Sequence, residues 1–186
     1  AERVGPSGMV LAFEPFRVLF QMLTANVALN GIANVWTFNM ALGDEDTYLS
    51  LNVPDLSRVS VPSAMMVADQ PKQGKAADAL LLAYKGEEPV EVRRLDGLRL
   101  PMLKGRRVSF VKIDVEDMEV QVVQGARGFL VTHRPIVFAE NVQYFEEGSQ
   151  AFLDEMAKNR YSCIEALQDP DSEQATDPLS FVCRPG

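Results

Sequence analysis

The sequence lacks the features that would assign it at once to a membrane or nucleic-acid-binding class. No apolar run approaches the roughly 20 residues that a membrane-spanning helix requires, and no signal peptide is visible. Lys and Arg are not clustered, and the formal net charge is −8, which disfavours nucleic acid as the main partner. The sequence therefore predicts a cytoplasmic protein without a membrane span and without a nucleic-acid partner.

Cysteine and histidine are also scarce. Cys163 and Cys183 fall on two predicted strands near the end of the chain, and we expect reduced, buried thiols because disulfides are rare in cytosolic proteins. The single histidine, His133, stands at a helix-to-strand turn, which is the wrong end of its strand for catalysis, so we expect a structural role. Asp114 and Glu140 have no convincing third oxygen ligand, and no metal site is predicted.

What the sequence does contain is a repeated pattern of short apolar segments that end in an acid. The segments are residues 9–14, ending in Glu14, residues 108–114, ending in Asp114, and residues 135–140, ending in Glu140. Short apolar runs of this kind are typical of buried parallel strands. Parallel strands place their carboxyl ends at one edge of an open α/β sheet, where ligands bind. The three acids therefore predict a ligand site at that edge.

A helical period follows each of these segments, which favours alternating strands and helices. The apolar positions that show it are Phe16, Leu19, Phe20, Leu23 and Val27, then Met118, Val122, Ala126 and Leu130, and finally Phe152, Leu153 and Met156. Between the second strand and its helix, Asp117 and Glu119 suit the positive end of the helix dipole. Asp114 needs a partner, because an acid that continues a buried strand is costly to leave alone.

The rest of the chain completes a single α/β domain over residues 1–186. Residues 34–38 predict another strand, and residues 47–52 predict a strand that pairs with residues 90–95. Residues 53–89 are irregular, and we expect a lid or variable insert there. The C-terminal segments 161–167 and 179–183 predict an antiparallel hairpin that closes the edge of the sheet.

These pieces, in this order, resemble the FkbM family of S-adenosylmethionine-dependent O-methyltransferases. The matching stretches are GPSGMVLAFEP, LTANVALNGIANV, ALGD, the pair Leu95 and Asp96, VKIDVEDMEVQVVQGA and HRPIVFAEN. They cover about three quarters of the chain. The resemblance implies a Rossmann-like class I methyltransferase sheet with helices on both faces and a C-terminal antiparallel hairpin.

The resemblance also implies roles for individual residues and S-adenosylmethionine as the cofactor. Glu14 would bind the ribose diol, since a carboxylate accepts hydrogen bonds from two neighbouring hydroxyls. Asp114 would lie beside the methionine moiety and the reacting hydroxyl, with Glu116 just outside it and Glu140 on the acceptor side. Either Asp114 or Glu116 is the expected base. The alternative, in which Glu116 only caps the helix and Asp114 only orders the loop, stays open. The remaining cofactor contacts are expected from Phe13, Pro15, Ala41, Leu42 and Asp44.

The sequence departs from the family pattern in two places. Asp117 stands where the family usually has glycine after its KIDVE-type motif. The family's first strand and glycine-rich turn would precede Ala1, and that strand would lie between those ending at Glu14 and Asp114. We expect one of three arrangements: an upstream segment supplies that strand, the two neighbouring strands pair directly, or another chain fills the place. An incomplete sheet would also make self-association easier. We also expect residues 1–186 alone to bind S-adenosylmethionine weakly.

Three functions from different classes fit these observations. The first is an O-methyltransferase acting on a hydroxyl of a small molecule, sugar or glycan, favoured by acids at three strand ends. The second is a catalytically degenerate methyltransferase fold that serves as an interaction module, favoured by Asp117 and the missing glycine turn. A nicotinamide-binding domain is disfavoured, because no G-x-G-x-x-G motif precedes the strand that ends at Glu14.

Overall fold

The computed structural model describes residues 1–54, 84–115, 118–140, 146–166 and 180–186. Most of the variable segment 53–89 lies outside these ranges, as do Glu116 and Asp117. In chain order the helices and strands are β1 (Val10–Phe13), α1 (Arg17–Leu29), β2 (Val35–Phe38), β3 (Ala41–Leu42), β4 (Thr47–Pro54), β5 (Tyr84–Arg93), β6 (Phe110–Ile113), α2 (Glu119–Gln124), α3 (Arg127–His133), β7 (Ile136–Glu140), α4 (Glu146–Lys158), β8 (Tyr161–Glu165) and β9 (Ser180–Pro185).

The first unit is a pair of parallel strands connected by α1. β1 and β2 pair in register, with Val10 opposite Val35 and Phe13 opposite Phe38. Beyond the strands, the Asn39 side-chain amide donates to the main-chain carbonyls of Glu14 and Pro15, at 2.9 and 3.0 Å. This amide ties together the carboxyl ends of the two strands and so fixes the position of Glu14.

A second sheet has the strand order β3-β5-β4. β4 and β5 are antiparallel, as the sequence predicts, but both are longer than predicted and include the first and last residues of segment 53–89. Pro89 is tolerated within β5 because β3 pairs further along, at Val92 and Arg93. The sheet packs onto the start of α1 through a buried apolar cluster: Phe16, Ala41, Leu51, Val90 and Val92.

The third sheet carries the main core and has the order β6-β7-β9-β8. β6 and β7 are parallel, whereas β9 is antiparallel to both β7 and β8, which confirms the predicted C-terminal hairpin. One face of the sheet buries Ile113, Val137 and Ala139 against the helices that follow β6 and β7 in the chain. On the opposite face, Phe110 and Ile136 remain 57% and 40% exposed.

The strands that end at Glu14 and Asp114 do not pair with each other. Within the described ranges, β1 pairs with β2 and β6 pairs with β7, and no ladder joins β1 to β6. Of the three expected arrangements, direct pairing of these two strands is therefore wrong.

Two further expectations are corrected by the structure. Cys163 and Cys183 form a disulfide rather than two reduced thiols, because the β8–β9 register sets them directly opposite each other with Cα atoms 4.0 Å apart. The apolar period from Met118 to Leu130 suggests one continuous helix, but α2 ends at Gln124 and α3 begins at Arg127. The interruption lies where Gly125 meets the turn after β3.

Candidate active site

Two of the three acids predicted to share an edge, Asp114 and Glu140, come together at the carboxyl ends of β6 and β7, whereas Glu14 follows β1, which belongs to a different sheet. Lys112 lies between Asp114 and Glu140: its Nζ is 2.7 Å from Asp114 Oδ2 and 3.6 Å from Glu140 Oε2. Residues two apart on a strand share a face, so Lys112 and Asp114 point the same way. In register, Lys112 lies opposite Phe138, two residues before Glu140, which puts all three charged groups on one face. We call these three residues the rim triad.

Sequence reasoning missed Lys112, although the signal for it was present. An acid at the end of a buried strand needs a partner, and the strand's own alternation offers the residue two positions earlier. The pKa of Lys112 is raised, chiefly because it donates a hydrogen bond to Asp114, with Glu140 adding a smaller attraction. The ammonium is therefore the expected state, and it gives the two carboxylates a common counterion.

Glu14 lies just beyond the carboxyl end of β1, where its carboxylate already has one partner. Oε1 accepts a hydrogen bond from the Phe16 main-chain N–H at 2.9 Å, just before α1 begins. Burial raises the pKa of Glu14, and the Phe16 hydrogen bond partly offsets that effect. Among the described residues no hydrogen bond engages the second oxygen, Oε2, so a hydrogen bond from a ligand hydroxyl can be accepted there.

Phe13, the residue before Glu14, has an aromatic ring that stacks on a ring of the neighbouring strand. Phe13 and Phe38 stack at the ends of β1 and β2, with ring centroids 4.9 Å apart. Phe38 was not anticipated from the sequence, although the parallel register makes it the direct neighbour of Phe13. The two rings form an apolar surface of the kind that suits a flat base.

Pro15 lines a cavity of about 260 Å³ between the start of α1 and β5. Arg17 and Glu88 form an ion pair at its wall, with the guanidinium NH2 2.8 Å from Oε1 of Glu88. The other lining residues are Asn39, Pro89, Val90 and Glu91. Of the residues predicted to contact the cofactor, Pro15 is the one that reaches this cavity.

The predicted adenine-lining turn is held by close glycine contacts. Ala41 is buried in the cluster around Phe16, and Leu42 packs against the main core, while Asp44 is exposed. A Cβ on Gly43 would lie 2.8 Å from Val92 Cγ1, and a Cβ on Gly125 would overlap the Gly43 carbonyl. The turn thus rests against the end of α2. It also borders the β6–α2 loop, because Met118 Cε lies 3.7 Å from the position that a Cβ on Gly43 would occupy.

The other predicted residues fall as follows. His133 accepts a hydrogen bond from the Val108 N–H at Nδ1 and its ring contacts Phe129, contacts that suit the expected structural role. Glu116 lies outside the described residues. In the described part of the chain, no three His, Cys, Asp or Glu side chains are grouped as metal ligands.

The structure thus places acids at the carboxyl ends of parallel strands, which is where open α/β sheets bind ligands. The profile of the methyltransferase FkbM domain matches residues 1–163, and the chain belongs to this family. "Methyltransferase 1" of Beauveria bassiana (strain ARSEF 2860) is 31% identical over an alignment of 131 residues that covers 67% of this chain and 51% of that protein. The chain thus spans about half the length of this curated relative.

A solved structure shares the fold. The crystal structure of methyltransferase FkbM from Methylobacillus flagellatus KT superposes with a TM-score of 0.58 at 15% sequence identity. The match covers 94% of this chain and 36% of that one. The predicted Rossmann-like α/β class is therefore confirmed.

Within the described residues, no helix has both the length and the apolar character needed to cross a bilayer.

Proposed function

We propose that this protein is an S-adenosylmethionine-dependent O-methyltransferase that acts on a hydroxyl of a small molecule, sugar or glycan. The observation that carries the proposal is the rim triad, in which Asp114 and Glu140 from neighbouring parallel strands share Lys112. Membership of the FkbM family supports the methyltransferase class. An interaction module without catalysis has no need for acids at this edge.

The side chains present suit the parts of the proposed cofactor. The Glu14 carboxylate has Oε2 available for a ribose hydroxyl, and the stacked rings of Phe13 and Phe38 offer an apolar surface at the ends of β1 and β2. Pro15, Ala41, Leu42 and Asp44 would complete the nucleoside side, with Ala41 acting through the packing of the turn. When bound, S-adenosylmethionine supplies an activated methyl group, which leaves alignment and proton removal to the protein.

We assign removal of the hydroxyl proton to the carboxylate of Asp114. Asp114 Oδ2 is held by Lys112, and Oδ1 makes no hydrogen bond among the described residues, so Oδ1 is the acceptor for the hydroxyl proton. Glu140 lies on the acceptor side and orients the hydroxyl. A carboxylate positioned within hydrogen-bond reach typically contributes about 10²-fold or more as a general base.

Substitutions at Glu14 and Asp114 test this proposal by separating binding from turnover. Glu14→Gln removes the charge that strengthens hydrogen bonds to hydroxyls, and we expect cofactor affinity to fall about tenfold. Asp114→Asn should lower kcat about 10²-fold with a smaller change in affinity. Affinity is measured by titration calorimetry and turnover by methyl transfer to a panel of hydroxyl acceptors, using the full gene product.

Glu2→Gln is the matched control, because Glu2 is an exposed acid in the turn before β1, at the opposite end of that strand from Glu14. Its affinity and kcat should equal those of the wild type. A folded wild-type protein that neither binds the cofactor nor methylates any acceptor contradicts the proposal and favours the interaction module. The same titration on residues 1–186 tests the expected weak binding of this segment alone.

A further inference from the structure

We propose that Lys112 is a positioning residue of the site: it ties Asp114 to Glu140 and sets the net charge that a sulfonium donor meets. This inference rests on the proposed function. Two carboxylates and one ammonium leave the rim triad with a single net negative charge. Without Lys112 the same rim would carry two negative charges, which repel each other and attract a cation more strongly.

The geometry assigns positioning, rather than proton transfer, to Lys112. Its Nζ donates a hydrogen bond to Asp114 Oδ2 at 2.7 Å and forms a longer ion pair with Glu140 Oε2 at 3.6 Å, so the ammonium faces both carboxylates. The side chains are half-exposed, at 52% for Lys112, 39% for Asp114 and 36% for Glu140. Because the pKa of Lys112 is raised by these partners, the ammonium does not act as a base.

The net charge of the rim has a measurable consequence for ligand choice. S-adenosylmethionine carries a positive sulfonium, whereas its demethylated product, S-adenosylhomocysteine, carries a neutral thioether at the same place. A charge at the rim therefore changes the affinity for the donor and leaves that for the product nearly unchanged. At a half-exposed site, one charge at about 6 Å changes affinity roughly threefold to tenfold.

The decisive measurement is the ratio of the product Kd to the donor Kd, obtained by calorimetry on the full gene product. Lys112→Met keeps the length of the side chain and removes the charge, and we expect the ratio to rise threefold to tenfold. Lys112→Arg retains the charge and should leave the ratio within twofold of the wild type. Lys104→Met removes an equal charge in the turn before β6, away from the rim, and should leave the ratio unchanged.

The other outcomes of these measurements would contradict the inference or the proposed function. An unchanged ratio in Lys112→Met, or an equal rise in Lys104→Met or Lys112→Arg, overturns the inference while the proposed function stands. A wild type that binds neither ligand overturns the proposed function and this inference with it. A crystal structure of Lys112→Met gives a readout that needs no cofactor: Asp114 and Glu140 should move apart, and unchanged carboxylate positions would refute the positioning role.

Discussion

The buried carboxylate of Glu155 is accommodated by two cations that reach it. Glu155 of α4 is 1% exposed, yet Arg127 donates two hydrogen bonds to its Oε1 and Lys158 donates one to Oε2. Burial by itself raises the pKa of Glu155, but the hydrogen bonds from Arg127 and Lys158 outweigh it, so the pKa is lowered. Lys112 likewise pairs with the two acids of the rim triad, where all three side chains are more exposed than Glu155.

Glu155→Gln tests the contribution of that ion pair to stability. The substitution keeps the shape of the side chain but weakens three charge-assisted hydrogen bonds, so we expect the free energy of unfolding to fall by about 2 kcal/mol in urea denaturation. Asp154→Asn removes an equal charge at the exposed neighbouring position and should change it by less than about 0.5 kcal/mol. Equal effects of the two variants would show that the ion pair contributes nothing specific.

The Glu155 contribution also depends on pH. Because the folded-state pKa lies below the ordinary value of 4.5, the stabilisation is fully present above about pH 4.5 and is lost as the pH falls through the folded-state pKa. The gap in stability between wild type and Glu155→Gln should therefore narrow below pH 4.5. A gap that is constant down to pH 3 would contradict this assignment.

At the scale of elements, the break between α2 and α3 comes from packing rather than from local propensity. The apolar period continues without a gap from Met118 to Leu130, so the sequence suggests one helix. Gly125 interrupts it where the Gly43 carbonyl approaches too closely for any side chain. Asp96 then holds the start of α3, accepting the main-chain N–H groups of Gly128 and Phe129 at 2.8 and 2.7 Å.

Gly125→Ala should displace the turn that carries Asp44. Gly125 has an ordinary helical φ of −77°, so the cost is steric, and we expect a loss of about 1–3 kcal/mol in the free energy of unfolding. Gly97→Ala is the control, because its added Cβ would meet Asp46 Oδ2 at an ordinary 3.6 Å. Circular dichroism during thermal unfolding measures both variants; equal Tm values for Gly125→Ala and Gly97→Ala would show that the close contact is not limiting.

At the scale of the whole molecule, a covalent link that sequence reasoning did not foresee joins the two strands of the C-terminal hairpin, β8 and β9. Cys163 and Cys183 are separated by 20 residues and close that length of chain. Their pairing lies beside the β7–β9 ladder, whose last register pair is Glu140 with Ser180. The disulfide therefore stabilises the strand next to the one that presents Glu140.

Breaking the disulfide should destabilise the protein. Closing a loop of about 20 residues is worth roughly 3 kcal/mol through the unfolded state, so reduced wild type should unfold at a lower Tm than oxidised wild type. The double variant Cys163→Ala, Cys183→Ala should resemble the reduced protein and no longer respond to dithiothreitol. Two titratable thiols in unreduced, denatured protein would contradict the pairing.

The strand–helix order, the terminal hairpin and the meeting of Asp114 with Glu140 could be predicted from the sequence, because period, turn residues and strand ends are local signals. Other features follow from long-range packing. It placed Lys112 between two acids on different strands, broke a continuous helical period at Gly125, and paired Cys163 with Cys183. Each of these depends on which distant backbone comes close, and a one-dimensional pattern does not record that distance.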